Sequence, residues 1–495
     1  MKWFIIALAA AALLVGVGLV ASGTQGEVRL SRDPEAAALC EEGTADMHAL
    51  RLRAAIDKLG RSLDADPSLA EAAISLAWAY MRLGERQNMK RELVRADSLT
   101  SLLANDQRRL VAQLRLSAFP TSRFVAMYDS VYDILKVRIP DNIYVLEAGA
   151  VRIAQTQDDN LTAEAWQRII ERNPNYANAY NMLGYHEMKR GNFDLAIEYM
   201  QKYAFLSPEL ANPHDSLGDV YMVLGRYEDA ESQYHAAVKL QPDFYFSIIN
   251  LGRIYLARGE IRRGLEILEA LRTHVAGSDL EVTVDRAVIA AYRRSGLDDE
   301  LATATARFID RYPEQDITPI LRAIRLAHAG RAAEGKAIMD SSLTVRRTEA
   351  VYVRYEKARQ ELEGTAHMVE AMMADLDGDG ERAAAAWSKA LDLISSVASH
   401  EDIFFVKHRL AASLRATKRP REAASILDSV VRINPRLPEV LLLKAQCHLD
   451  VAEFESAAAT LAQLEAALAK ADRDLPILAE AAALRSRLGG GAPVP

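Results

Sequence analysis

A pattern of two amphipathic helices recurs about every 34 residues in the middle of this 495-residue chain. Its clearest copy is DSLGDVYMVLGRYEDAESQYHAAVKLQP, which runs from Asp215 to Pro242. The positions that recur at this interval are Gly184, Gly218 and Gly252; Gly191, Gly225 and Gly259; and Pro174, Pro208 and Pro242. A fixed period of this length is typical of a solenoid, in which each unit buries its apolar face against its neighbours.

Within one unit, the spacing of small and bulky residues defines two helices joined by a tight turn. Gly218 on the first helix and Ala230 on the second are small where the helices would cross, so their backbones can approach. Tyr234 is bulky where the paired helices leave a gap to fill. Gly225 lies between the helices, where a left-handed residue can end the first one, and Pro242 stops the second.

These residue types at this spacing resemble the tetratricopeptide repeat (TPR) family. The match is closest in three consecutive units, Ala177–Glu209, Ala211–Asp243 and Tyr245–Leu280. Weaker copies extend the resemblance from about residue 40 to about residue 472. The resemblance implies an all-α fold, a right-handed superhelical solenoid of stacked antiparallel helix pairs with about 11–12 units.

The chain divides according to how well each part follows the pattern. The segments are 1–23, a signal peptide or transmembrane anchor; 24–39, a linker; 40–174, divergent TPR-like repeats; 175–280, the three well-matched repeats; 281–472, divergent repeats with an inserted helix near 348–363; 473–488, a C-terminal capping helix; and 489–495, a flexible tail. The inserted helix is expected there because the interval from Gly330 to Gly378 is 48, which is the repeat period of 34 plus 14.

The N-terminal segment WFIIALAAAALLVGVGLVA, from Trp3 to Ala21, has no charged residue. Lys2 precedes it, and the small residues Ser22 and Gly23 follow. Such a segment is either a secretory signal peptide or a retained anchor that crosses the membrane. In both cases we expect the folded part to be extracytoplasmic, periplasmic or secreted, and to be held at a membrane only through residues 3–21 if they are retained.

Net charge and cysteine content argue against several classes of function. The chain has 60 Lys plus Arg and 68 Asp plus Glu, a net charge of −8, and this balance argues against nucleic acid as the partner. Its two cysteines, Cys40 and Cys447, are too few and too far apart for a disulfide framework or a zinc cluster.

One acidic stretch resembles a calcium loop but fits the repeat better. In DLDGDGER, the residues Asp375, Asp377 and Asp379 stand at the first three ligand positions, but Ala386 stands where such a loop needs a bidentate acid. The sequence also lacks the local motif of a serine or cysteine nucleophile. We therefore predict a non-enzymatic protein and assign no catalytic, metal-binding or cofactor-binding residues.

The resemblance to the TPR family also implies where a protein or peptide partner would bind. In that family the first helices line a concave groove, and side chains that point away from the packing stripe contact the ligand. The corresponding positions here are Asn178, Asn181, Tyr185 and Met188; Asn212, Asp215, Asp219 and Met222; and Phe246, Ile249 and Arg253. The two aspartates favour a neutral or basic segment in the partner.

The sequence therefore predicts a TPR scaffold or adaptor whose groove binds a protein or peptide of unidentified sequence. The alternative is a structural protein that assembles into homo-oligomers or filaments by end-to-end stacking. That alternative is suggested by the closing helix, because the stretch from Leu475 to Leu488 has few polar residues and a solubilising cap should have more.

Overall fold

The computed structural model describes most of the repeat region. The described residues are 31–48, 52–83, 85–103, 109–110, 112–113, 131–141, 143–154, 159–208, 210–277, 279–295, 297–315, 317–349 and 356–490. The predicted signal peptide or anchor at residues 3–21 lies outside them, as do residues 491–495 of the predicted tail. Of the helices that are described, none has both the length and the apolar character needed to cross a bilayer.

All regular secondary structure in these residues is α-helical. The labelled helices are α1 (Pro34–His48), α2 (Leu52–Ala65), α3 (Ala70–Leu83), α4 (Arg86–Ser101), α5 (Ile143–Ala154), α6 (Asp159–Arg172), α7 (Ala177–Arg190), α8 (Phe193–Leu206), α9 (Ala211–Val223), α10 (Tyr227–Leu240), α11 (Tyr245–Ala257), α12 (Ile261–His274), α13 (Asp279–Ser295), α14 (Asp298–Arg311), α15 (Thr318–His328), α16 (Ala332–Arg347), α17 (Glu356–Leu376), α18 (Gly380–Ile394), α19 (His400–Ala416), α20 (Pro420–Val431), α21 (Pro438–Asp450), α22 (Phe454–Ala467) and α23 (Pro476–Gly490). Residues 131–138 are helical as well. Consecutive helices pack as pairs, such as α7 with α8 and α21 with α22. The fold is thus a solenoid of stacked antiparallel helix pairs, as predicted.

The described residues fall into two compact units. The first unit lies within Met1–Ser216, Ala236–Phe244 and Val275–Leu280, and the second lies within Leu217–His235, Tyr245–His274 and Glu281–Pro495. Each unit has its own apolar core. Trp166 is fully buried in the first unit and Trp387 in the second.

Within a helix pair, a glycine of the first helix faces a bulky side chain at a fixed offset on the second helix. This arrangement recurs in the pairs Gly43 and Leu59, Gly184 and Met200, Gly218 and Tyr234, and Gly252 and Leu268. A Cβ atom added to Gly218 would lie 2.5 Å from the Tyr234 ring. The prediction that Gly218 lies at a close helix contact is therefore confirmed, and the glycine makes room for the tyrosine side chain that fills the gap.

The turn glycines have the predicted left-handed backbone. The φ angles of Gly191, Gly225 and Gly259 are 81°, 69° and 78°. Glycine adopts this conformation without the steric cost that a Cβ atom brings. The repeat period therefore predicts the points at which α7, α9 and α11 end.

Three segments differ in extent from the predicted divisions. Helix α1 begins at Pro34, inside the stretch predicted to be a linker. Much of the extra length expected near 348–363 belongs to α17, which has 21 residues, and residues 350–355 lie outside the described part. The capping helix α23 runs from Pro476 to Gly490, two residues beyond its predicted end.

Candidate functional site

The eleven residues predicted to line a groove lie on three first helices, α7, α9 and α11. Those in the first unit are Asn178, Asn181, Tyr185, Met188, Asn212 and Asp215, and those in the second unit are Asp219, Met222, Phe246, Ile249 and Arg253. The predicted residues therefore form two sets, one in each unit.

Five of these side chains are buried, although the sequence places all of them away from the packing stripe. The buried ones are Asn178, Asn181, Met188, Asp215 and Ile249. Tyr185, Asn212, Asp219, Met222 and Arg253 are half-buried. Phe246 is the most accessible of the set, with 39% of its surface exposed.

A recurring hydrogen bond between successive first helices explains part of this burial. It joins polar side chains at a sequence separation of 31, and we call the series the polar ladder. Its members are Thr44 and Ser75, Glu147 and Asn178, Tyr185 and Ser216, Asp219 and Asn250, and Arg415 and Gln446. This separation is three less than the repeat period. Each bond therefore joins a residue of one first helix to a residue of the next first helix that lies about one helical turn before the equivalent position.

In the first unit, the ladder centres on a buried carboxyl group that the sequence analysis missed. Glu147 on α5 accepts hydrogen bonds from Asn178 Nδ2 at 2.9 Å and from the Tyr176 hydroxyl at 3.1 Å. Burial raises the pKa of Glu147 to about 8, although both hydrogen bonds act in the opposite direction. The sequence could have identified Glu147 by its position in the repeat, because it lies one repeat period before Asn181.

Asn212 also has a partner inside the first unit. Its Nδ2 donates to the Tyr203 hydroxyl at 2.9 Å. Burial raises the pKa of Tyr203 to about 12, so this phenol stays neutral over the physiological range. In the first unit, Asn178, Tyr185 and Asn212 therefore all contribute to contacts that hold the helices together.

In the second unit, Asp219 and Arg253 belong to one hydrogen-bond network. Asp219 Oδ1 accepts from the Tyr234 hydroxyl at 2.8 Å and from Asn250 Nδ2 at 3.1 Å. Arg253 donates to Asn250 Oδ1 at 3.1 Å and forms an ion pair with Glu401 on α19. A ligand at these residues would have to add to this network or displace part of it.

The acidic stretch at the C-terminal end of α17 holds helices together. Asp375 accepts hydrogen bonds from Trp387 Nε1 at 3.0 Å, from Arg409 at 2.7 Å and from Ser413 Oγ at 2.9 Å. These donors come from α18 and α19. Asp377 instead forms an exposed ion pair with Arg382.

We expect Asp375→Ala to lower the free energy of unfolding by about 2 kcal/mol, because it leaves the Trp387 and Arg409 donors without their acceptor in a partly buried site. The matched control is Asp377→Ala, whose exposed ion pair should contribute less than about 1 kcal/mol. Denaturant unfolding of both variants measures the difference. Equal losses from the two substitutions would contradict the structural role of Asp375.

Two models of the tetratricopeptide repeat family match the sequence, one at residues 152–211 and one at residues 211–244. TPR repeats are therefore present in the part of the chain that runs from α6 to α10. None of the curated proteins matches the sequence.

Several solved structures are similar in fold to this chain. Yeast Tom70 is 14% identical, and the match covers 92% of this chain and 97% of that chain with a TM-score of 0.37. The Cut9–Hcn1 hetero-tetramer of APC/C is 12% identical, covering 92% of this chain and 84% of that chain with a TM-score of 0.42. An O-GlcNAc transferase mutant from Thermobaculum terrenum is 23% identical, but the match covers only 26% of this chain and 25% of that one, with a TM-score of 0.24.

Proposed function

We propose that this chain is a non-enzymatic TPR scaffold or adaptor that binds a segment of another protein on the first helices of its repeats. The TPR repeats at residues 152–244 support this class of function, because stacked repeats present extended surfaces to protein partners. The observation that carries the proposal is the 39% exposure of Phe246 on the first helix α11. An aromatic side chain is a typical anchor of a protein interface when a partner covers it.

The neighbouring side chains in the second unit indicate the chemistry of the partner segment. Met222 on α9 is half-buried, and methionine adapts its shape to different apolar groups. Asp219 lies on the same helix and adds a half-buried carboxyl group beside this methionine. A segment that carries an apolar side chain and a neutral or basic group fits these residues best.

We expect Phe246→Ala to weaken binding of the partner by about 1–3 kcal/mol, roughly ten- to hundredfold, because interface energy concentrates in a few anchors. The unfolding midpoint should change little, since this side chain is exposed. Titration of the labelled protein with its captured partner measures the affinity.

The control for this substitution is His235→Ala, which also removes an exposed ring. His235 lies in the same unit but on the second helix α10, and 59% of its side chain is exposed. An equal loss of affinity at His235 would place the interface on the second helices instead.

The proposal includes an extracytoplasmic location, either secreted or held at the membrane by residues 3–21. Its support is the uncharged run from Trp3 to Ala21, which has the composition of an export signal or anchor.

A reporter fused after Pro495 tests this location. We expect alkaline phosphatase to be active there, because this enzyme becomes active only after export. A fluorescent protein that folds only in the cytosol should be dark, because export prevents its folding. The reverse pattern would show that the folded part stays in the cytoplasm.

End-to-end self-assembly is less favoured, because α23 directs its larger apolar side chains inward. Ala481 and Leu484 are buried in the same apolar cluster as Leu461 of α22. The exposed residues of α23 include Glu480 and Arg485, and Arg485 forms an ion pair with Glu465. The helix therefore has more polar outer surface than its composition suggests.

A further inference from the structure

Two glycine turns of the second unit are covered by residues that lie 209 and 212 positions further along the chain, Asn434 over Gly225 and Ala471 over Gly259. A Cβ atom added to Gly225 would lie 2.3 Å from Asn434 Oδ1, and one added to Gly259 would lie 2.7 Å from Ala471 Cβ. The turn at Gly330, in the same unit, has a similar backbone, but among the described residues no neighbouring atom lies within 4 Å of such a Cβ. At Gly225 and Gly259, contact with the covering residues therefore requires a residue without a Cβ atom, in addition to the left-handed backbone of the turn.

The first of these contacts joins the α9–α10 turn to the α20–α21 turn. Asn434 is almost fully buried there, and its Nδ2 donates to the Tyr227 hydroxyl at 3.4 Å. Arg436 forms a bidentate ion pair with Glu228, at 2.5 Å and 3.2 Å. The same guanidinium lies 5.0 Å from the centre of the Tyr227 ring. The hydrogen bond from Arg436 lowers the pKa of Glu228 to about 2, so this carboxylate stays charged near neutral pH.

The second contact joins the α11–α12 turn to the α22–α23 turn. The backbone N–H of Asp472 donates to the Gly259 carbonyl at 3.0 Å. The side chain of Asp472 accepts from the backbone N–H of Arg262 at 2.9 Å, and the Arg262 guanidinium pairs with Asp474 at 2.7 Å. In the first contact Arg436 also donates to the Gly225 carbonyl at 3.5 Å, so both contacts combine a backbone carbonyl with ion pairs at the surface. The second contact also includes the apolar side chains of Leu468 and Leu475, which lie against Gly259.

A third contact connects the same two parts of the second unit. Arg253 on α11 pairs with Glu401 on α19, at a sequence separation of 148. Arg253 is also one of the residues predicted to contact a ligand. The arrangement of the second unit thus gives this arginine an intramolecular partner in place of an external one.

We propose that the contacts of Asn434 and Arg436 with the α9–α10 turn, and of Asp472 and Asp474 with the α11–α12 turn, form a polar latch that holds the second unit closed and opens when its ion pairs are screened. Arg262 and Asp474 are mostly exposed, and Glu228 is partly exposed, so their attraction falls as salt concentration rises. Opening separates Arg253 from Glu401 and makes the arginine available to a partner. The latch goes beyond the proposed binding function and is tested without a partner.

Spin labels on Ser232→Cys and Ser425→Cys report the distance between α10 and α20, because both serines are exposed. The native Cys40 and Cys447 are buried and should not be labelled. In pulsed electron–electron double resonance, we expect one narrow peak in the distance distribution at about 0.05 M salt. At about 1 M salt, we expect part of the population to shift to longer distances. Arg436→Ala and Gly225→Ala should each produce that shift at low salt, the first by removing the ion pair and the second by a clash with Asn434.

Each of these variants has a matched control. Arg419→Ala removes the same charge, but Arg419 pairs with Glu422 within the same turn of the chain. Gly330→Ala places the same strain in a left-handed turn that no described residue covers. Both controls should keep the narrow peak. A broad distribution in the parent protein, or equal broadening by a control and its matched variant, would overturn the latch.

Discussion

Glu147→Gln should remove the part of the pH dependence of first-unit stability that comes from Glu147, and should raise the stability of that unit at pH 8. The folded state holds the Glu147 proton up to a pKa of about 8, whereas the ordinary value is 4.5. Between these values Glu147 binds more protons in the folded state than in the unfolded state, so its contribution to stability is complete below about 4.5 and is lost as pH rises toward 8. One pKa unit corresponds to about 1.4 kcal/mol, so the loss is on the order of several kcal/mol.

The measurement is denaturant unfolding at pH 5 and pH 8, followed by tryptophan fluorescence, to which Trp166 of the first unit contributes. This indole is buried in the apolar cluster that also contains Val151 of α5. Glu171→Gln is the control, because Glu171 is an exposed acid on α6 of the same unit. If the parent and Glu147→Gln have the same pH dependence, the Glu147 carboxyl is not held neutral by burial.

Gly218→Leu should lower the free energy of unfolding by about 3 kcal/mol or more, at the upper end of what overpacking costs. A Cβ atom at this position would lie 2.5 Å from the Tyr234 ring. That ring is fully buried and is held by the hydrogen bond from its hydroxyl to Asp219, so it has little room to move.

The control for this substitution is Gly60→Leu. Gly60 lies in the helix α2, and in the part of the chain that the structure describes no neighbouring atom comes within 4 Å of a Cβ added there. Leucine has the higher helix propensity, by roughly 1 kcal/mol, so this variant should be as stable as the parent or more stable. A melting curve of Gly218→Leu that matches the parent would show that the helix pair is not packed as described.

Features within one repeat were predictable because they depend on short distances along the chain. Gly225 ends α9 through its own backbone conformation, and Gly218 meets Tyr234 within the same helix pair. The repeat period carries both signals, since every unit must solve the same packing problem. The all-α solenoid follows from these local rules.

The predicted groove was less predictable, because burial there depends on the neighbouring repeat. Asn178 is buried since it bonds to Glu147, which belongs to the preceding repeat and lies outside the three units that match best. The cover over Gly225 comes from Asn434, and no repeat rule relates these two residues. Contacts over such separations depend on how the stacked repeats turn, which the sequence of a single unit does not specify.

Site-specific photo-cross-linking tests the central claim, that the first helices bind another protein, most directly. A benzophenone amino acid is placed at Phe246 on α11 in one variant and at His235 on α10 in the other, and cells that make each variant are irradiated. We expect a discrete adduct with a different protein at Phe246 and little or none at His235. Adducts of equal yield at both positions, or adducts at Phe246 that contain only a second copy of this chain, would contradict the claim.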